Sequence, residues 1–195
     1  PGETSENLAY RPMMTNQMKG YKTGNYEEAF DEIIKFIDSR YRTVRKKEKR
    51  AVAGRSMGGF HSLFIALNHP DKFDYVGLLS AGLNTAFLDM SLPAYKDMEG
   101  KLKNFQKEGY ELFWIACGTD DFLYGNAREY TDFRERKGIE HIAYYTSDKG
   151  GHTWMNARHF LSQTFPLLFN KEASAKAMSS ASEVTDKPEA PAPVP

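Results

Sequence analysis

From position 26 the chain settles into a helical rhythm. Phe30, Ile33, Ile34, Ile37 and Tyr41 fall at spacings of three and four with Glu and Lys between them, which predicts an amphipathic helix beginning near Tyr26. A basic cluster, Arg42 to Arg50, closes it. Ala51-Val52-Ala53 is then a short apolar run that stops at Gly54, and Ser56-Met57-Gly58-Gly59 leads into Phe60 to Asn68, apolar at helical spacing until Pro70 forbids continuation. The order is strand, tight turn, helix. Phe73 to Ser80 and Tyr110 to Cys117 are continuous apolar runs, as expected of strands covered on both faces, and His141 to Thr146 is a fourth. Between them lie a loop excursion with a short helix near Lys101 to Lys107 and a helix over Asn126 to Lys137 that stops at Gly138. Trp154 to Phe169 closes the pattern as a helix.

Apolar strands alternating with amphipathic helices predict an α/β fold, a mostly parallel sheet with helices on both faces. Right-handed crossovers then place every strand C-terminus along one edge, which is where such folds carry function. Residues 1–25 hold Pro1, Gly2, Pro12, Gly20 and Gly24 among polar groups and read as a loop-rich opening segment. Residues 171–195 hold four of the nine prolines, much Ala, Ser and Glu, and no aromatic residue; they read as a disordered tail or linker. The folding unit is therefore 1–170, with an irregular front over 1–25 and the regular portion over 26–170.

Composition narrows the function. Basic and acidic side chains balance at 26 each, interspersed, so there is no basic field for nucleic acid and no polybasic membrane patch. No apolar run reaches the roughly 20 residues of a membrane span, and no charged-then-apolar signal segment opens the chain. A single cysteine, Cys117, lies inside an apolar run and reads as a buried small hydrophobe. No spacing of His, Cys or acidic residues predicts a metal, and no glycine-rich phosphate loop predicts a nucleotide, so no cofactor is expected.

The chemistry is in Gly54-Arg55-Ser56-Met57-Gly58, the Gly-x-Ser-x-Gly pattern of a nucleophile elbow, set between a predicted strand and a predicted helix. A Cβ at Gly54 or Gly58 is expected to collide with the neighbouring strand or helix. The helix start aims backbone N–H groups at developing negative charge, with the Met57 N–H as first oxyanion donor. A serine needs a base and a group to orient it. Gly118-Thr119-Asp120-Asp121 follows the third strand, and Asp121 is the favoured acid, with Asp120 the alternative. His152, after Gly150 and Gly151 in the loop beyond the fourth strand, can fold back over the strand ends towards Ser56. His141 and His159 sit in regular elements, and His61 and His69 lie along the elbow helix, where structural roles are expected.

These motifs together, Gly-Arg-Ser56-Met-Gly-Gly-Phe-His-Ser, Asn-His-Pro-Asp-Lys-Phe-Asp, Cys-Gly-Thr-Asp-Asp121-Phe-Leu and Gly-Gly-His152-Thr-Trp, resemble the esterase D-like α/β-hydrolases. The nearest branch is that of the feruloyl and acetyl-xylan carbohydrate esterases. The resemblance covers roughly Tyr26 to Phe169. It implies a Ser56, Asp121, His152 triad, a secreted or periplasmic enzyme acting on polysaccharide esters, and an acyl pocket to which Trp154 contributes. One departure stands out: members carry about four strands before the elbow, and a loop there supplies the second oxyanion N–H. Only some 25 irregular residues precede the first helix here. The chain is therefore expected to be the C-terminal part of a catalytic domain lacking its N-terminal strands.

The resulting reading is a serine carboxylester hydrolase for feruloyl or acetyl esters of plant cell-wall polysaccharide. Rivals are an S-formylglutathione-type thioesterase or an acyltransferase on the same triad, and a carbohydrate-binding relative without catalysis.

Overall fold

The computed structural model describes residues 23–86, 88–139 and 143–179, together with the backbone of 184–186. Most of the expected opening segment and the expected start of the fourth strand at His141 lie outside the described residues.

Five strands form one sheet: β1 Ala51–Arg55, β2 Tyr75–Leu79, β3 Leu112–Gly118, β4 Ala143–Ser147 and β5 Val184–Asp186. They lie side by side in chain order, every pair parallel. Seven helices are described: α1 Asn25–Glu28, α2 Phe30–Arg40, α3 Met57–Asn68, α4 Met98–Glu108, α5 Tyr124–Arg136, α6 Trp154–Thr164 and α7 Lys171–Ser179.

Because side chains alternate along a strand, the sheet carries two separate cores. On one face Val52, Val76, Leu78, Phe113, Ile115 and Cys117 pack with Phe60, Leu63 and Phe64 of α3, Leu102 and Phe105 of α4 and Tyr130 of α5. On the other, Tyr75, Leu79, Leu112, Trp114, Ala143 and Tyr145 pack around Phe160 of α6. Strands buried on both sides are why the sequence shows continuous apolar runs rather than alternation.

The structure differs from the sequence expectations at three places. Where a disordered tail is expected, Val184–Asp186 pairs with β4 and Lys171–Ser179 is helical. Its Lys, Glu, Ala and Met are strong helix formers, and the proline-rich composition that marks the chain's end begins only beyond them. This helix is fastened by Lys171 Nζ on Glu111 at 2.5 Å and by Ser174, fully buried, whose hydroxyl donates to Leu167 O at 2.8 Å. The closing helix stops at Thr164 and passes into a 3₁₀ turn over Phe165–Leu167, because Pro166 removes a backbone donor. The amphipathic helix α2 is not covered along its apolar face: Ile33, Phe36 and Ile37 are exposed, and a groove lined by Phe30, Ile33, Ile37, Val44, Ala51 and Phe73 runs beside it. That groove flanks β1, an edge strand with no partner on its far side among the described residues.

Candidate active site

The residues singled out from the sequence gather at the C-terminal edge of the sheet. Strand β1 ends at Arg55 and α3 starts at Met57, so Ser56 alone makes the turn. Its backbone takes φ 57° and ψ −120°, a conformation costly for any residue with a side chain. The surroundings hold it there. Ser56 N–H donates to Leu79 O at the end of β2 (2.9 Å), and Ser56 O accepts from Gly59 N (3.1 Å), Phe60 N (3.2 Å) and Gly82 N (3.3 Å). Met57 is the first residue of α3, so its N–H belongs to the helix's unsatisfied first turn and faces the same edge.

The glycine requirement is placed differently from the sequence expectation. A Cβ at Gly54 would lie 2.2 Å from the Gly58 carbonyl, and one at Gly59 would lie 2.5 Å from Ala81 Cβ. At Gly58, by contrast, an added Cβ meets nothing within 4 Å. The tight approach is thus between the backbone at Gly58 and the α-carbon of Gly54; Gly58 itself has no steric need to be glycine.

Asp121 follows β3 and is buried. Its carboxylate accepts from Nδ1 of His152 at 2.9 Å through Oδ2 and 3.1 Å through Oδ1, and from Leu123 N–H at 2.9 Å. A carboxylate can only accept, so Nδ1 carries the proton and, in the neutral imidazole, Nε2 is the nitrogen with a lone pair to offer. Asp120 is exposed, and its backbone N–H is spent on Gly150 O at 3.1 Å. The structure therefore pairs His152 with Asp121 rather than with Asp120. Among the described residues no hydrogen bond joins the Ser56 hydroxyl to His152, whose Nδ1 bonds are both to Asp121.

One aromatic side chain lies against the imidazole, and a second opens the helix that follows it. The Phe122 ring lies 4.7 Å from His152 centre to centre and Trp154 opens α6, each 75% exposed. The Arg55 guanidinium lies over the Trp154 ring. Arg55 and Phe122 escaped the sequence reading, although the first is the variable position of the elbow motif and the second follows the acid directly.

The remaining candidates are structural. Cys117 is buried, and that burial, with the charge of Asp121 adding to it, pushes its thiol up to about 12, so it carries no thiolate at neutral pH. His61 meets the fully buried Glu27 at 2.5 Å and His69 meets Glu27 O at 3.1 Å, pinning α1 to α3. His159 bonds Tyr145 OH at 2.6 Å. Among the described residues no group of three or more His, Cys, Asp or Glu side chains is arranged to hold a metal ion.

Comparison with known proteins places the chain in a family. The family model described as Esterase matches residues 2–168. The chain is 26% identical over 161 residues to an acetyl esterase of Caldicellulosiruptor saccharolyticus, covering 69% of this chain and 60% of that one. It is 41% identical over 75 residues to an endo-1,4-beta-xylanase/feruloyl esterase of Xylanibacter ruminicola, covering 35% of this chain and 10% of that one. A solved ferulic acid esterase superposes with TM-score 0.60 at 25% identity, covering 75% of this chain and 61% of that one. The chain thus spans about three fifths of the length of the acetyl esterase and the ferulic acid esterase.

Proposed function

The chain belongs to the Esterase family, and from that membership we propose that it acts as a serine carboxylester hydrolase on acetyl or feruloyl esters of plant cell-wall polysaccharide. The observation that carries the proposal is the His152–Asp121 hydrogen bond at the same sheet edge as the elbow serine.

In this reading Ser56 Oγ attacks the ester carbonyl while His152 Nε2 takes its proton. Asp121, bonded to Nδ1–H, keeps the imidazole in the tautomer that leaves Nε2 free and stabilises the imidazolium once formed. The Met57 N–H donates to the oxyanion. His152 then returns the proton to the leaving sugar hydroxyl, the acyl group passes to Ser56, and water activated by His152 releases it as the carboxylic acid. The exposed rings of Phe122 and Trp154 offer apolar surface beside the reacting carbonyl. The polysaccharide substrate rests on the likeness to a xylanase/feruloyl esterase and an acetyl esterase, and a polymer of that kind calls for a secreted or periplasmic enzyme.

Rates on acetylated and feruloylated xylo-oligosaccharides and on S-formylglutathione test the proposal together. The expected result is turnover of an oxygen ester that Ser56→Ala abolishes. Preference for the thioester, or turnover that survives Ser56→Ala, would sink it.

A further inference from the structure

Local bonds form only short turns around His152: Gly150 N–H donates to Ser147 O at 3.2 Å and Thr153 N–H to Gly151 O at 2.8 Å. Strand β4 ends at Ser147, and the loop that follows contains Gly150 and Gly151, which leave the backbone free, and Lys149 at φ 54°. A loop of this composition orders only if something outside it fixes its path.

That something is Asn156, on the first turn of α6 and 1% exposed. Its Oδ1 accepts from Ser147 Oγ at 2.8 Å and its Nδ2 donates to Gly151 O at 3.2 Å, while its own N–H donates to Thr153 Oγ1 at 3.2 Å. One planar amide thus grips the end of β4 and the residue before His152, while the backbone N–H of the same residue ties in the start of the next helix. The space around it is shaped to admit it and little else. A Cβ at Gly118 or at Gly150 would come within 2.7 Å of Nδ2. Gly118 precedes the acid loop, so the amide fills the notch where the chain carrying Asp121 crosses the chain carrying His152. Two further bonds sew the same loops together: Lys149 N to Thr119 Oγ1 at 2.7 Å and Asp120 N to Gly150 O at 3.1 Å.

The chemistry is specific to a carboxamide. Gly151 O requires a donor, which sets Nδ2 towards it and leaves Oδ1 to accept from the Ser147 hydroxyl, so Asn serves both partners from one rigid group. Asp would set a second acceptor against Gly151 O. A hydrophobe of the same size would leave the buried Ser147 hydroxyl and the part-buried Gly151 carbonyl without these partners.

We propose that Asn156 is the positioning residue for His152, holding the histidine loop so that Nδ1 stays on the Asp121 carboxylate and Nε2 is presented towards Ser56. Its effect on catalysis rests on the esterase reading above; its effect on the imidazole does not. The two are measured separately.

The first measurement is the far-downfield proton NMR signal of His152 Nδ1–H, assigned by its loss in His152→Ala, in the full chain and in Asn156→Ser, Asn156→Asp and Ser147→Ala. The expected result is a signal that weakens or vanishes in both Asn156 variants and weakens less in Ser147→Ala, with circular dichroism unchanged. Ser147→Ala removes one bond only and serves if the Asn156 variants do not fold. The second measurement is kinetic. Asn156→Ser should lower kcat by up to about 10²-fold, with KM within about threefold of wild type, because the imidazole is displaced while the substrate surface is not. In a His152→Ala background the same substitution should cost nothing further, since it acts through the missing side chain. A downfield proton unaltered in all three variants, or an equal loss of rate with and without His152, would overturn the proposal. An Asn156-dependent proton in a protein that hydrolyses no ester upholds the positioning role and overturns the esterase reading instead.

Discussion

The guanidinium of Arg55 sits 4.9 Å from the centre of the Trp154 ring. Arg55 ends β1 and immediately precedes Ser56, while Trp154 begins α6 two residues after His152. Strands β1 and β4 stand three positions apart in the sheet, on the order of 14 Å at ordinary strand spacing. The contact therefore records that the histidine loop folds back across β2 and β3 to reach the elbow.

Since the indole is mostly exposed, the attraction belongs at the modest end of cation–π energies. A double-mutant cycle with Arg55→Gln and Trp154→Leu, followed by urea unfolding, is expected to give a coupling of about 0.5–1 kcal/mol. A coupling indistinguishable from zero would mean the stack does not hold the loop.

Asp120 and Asp121 are adjacent in sequence and opposite in circumstance. Asp121→Asn keeps the shape but favours the wrong histidine tautomer, and the expected fall in kcat is about 10⁴-fold. Asp120→Asn should leave kcat within about threefold, because only the backbone N–H of that residue is engaged. Steady-state kinetics on an activated acetyl ester compares the two directly.

The elbow glycines should separate in the same way. Gly54→Ala and Gly59→Ala drive a methyl into backbone or into Ala81, and each should destabilise by roughly 1–3 kcal/mol or more, as overpacking does. Gly58→Ala meets no atom and lies in the first turn of a helix, where Ala is favoured over Gly by up to about 1 kcal/mol. It should be neutral or stabilising in chemical denaturation.

What could be read from the sequence was what is local. Gly54, the apolar run before it and the helical rhythm after Phe60 define the elbow with no knowledge of the rest of the chain. Asp121 and His152 were accessible because both follow apolar runs that become strands, and parallel connection sends all such ends to one edge. Register and exact ends were not accessible: β1 runs on through Arg55, and α5 begins at Tyr124 rather than Asn126. The tail helix was hidden by averaging helix formers with the proline-rich residues beyond them. Asn156 was out of reach for a deeper reason. Its role exists only because Gly118 and Gly150, far apart in the chain, approach the same amide in space. The misplaced demand on Gly58 has the same origin, since which of two glycines is crowded depends on the direction in which the missing Cβ would point.

Cys117 supplies a pH test. Its thiol is held protonated up to about 12 in the fold but ionises near its ordinary value of 9.0 once unfolded. Between those limits the native state binds more protons than the unfolded state, so stability is complete below about 9 and falls as pH rises towards 12. Cys117→Ala should remove that part of the alkaline slope in denaturation curves. At pH 8 a thiol reagent should modify the unfolded chain and leave the native one essentially untouched.

The central claim, that Ser56 is a nucleophile activated by His152, is tested most directly by a fluorophosphonate with mass-spectrometric mapping of the adduct. The account predicts one adduct per chain on Ser56, absent in Ser56→Ala and formed far more slowly in His152→Ala. A folded chain that takes no adduct, or takes it on another residue, would contradict it.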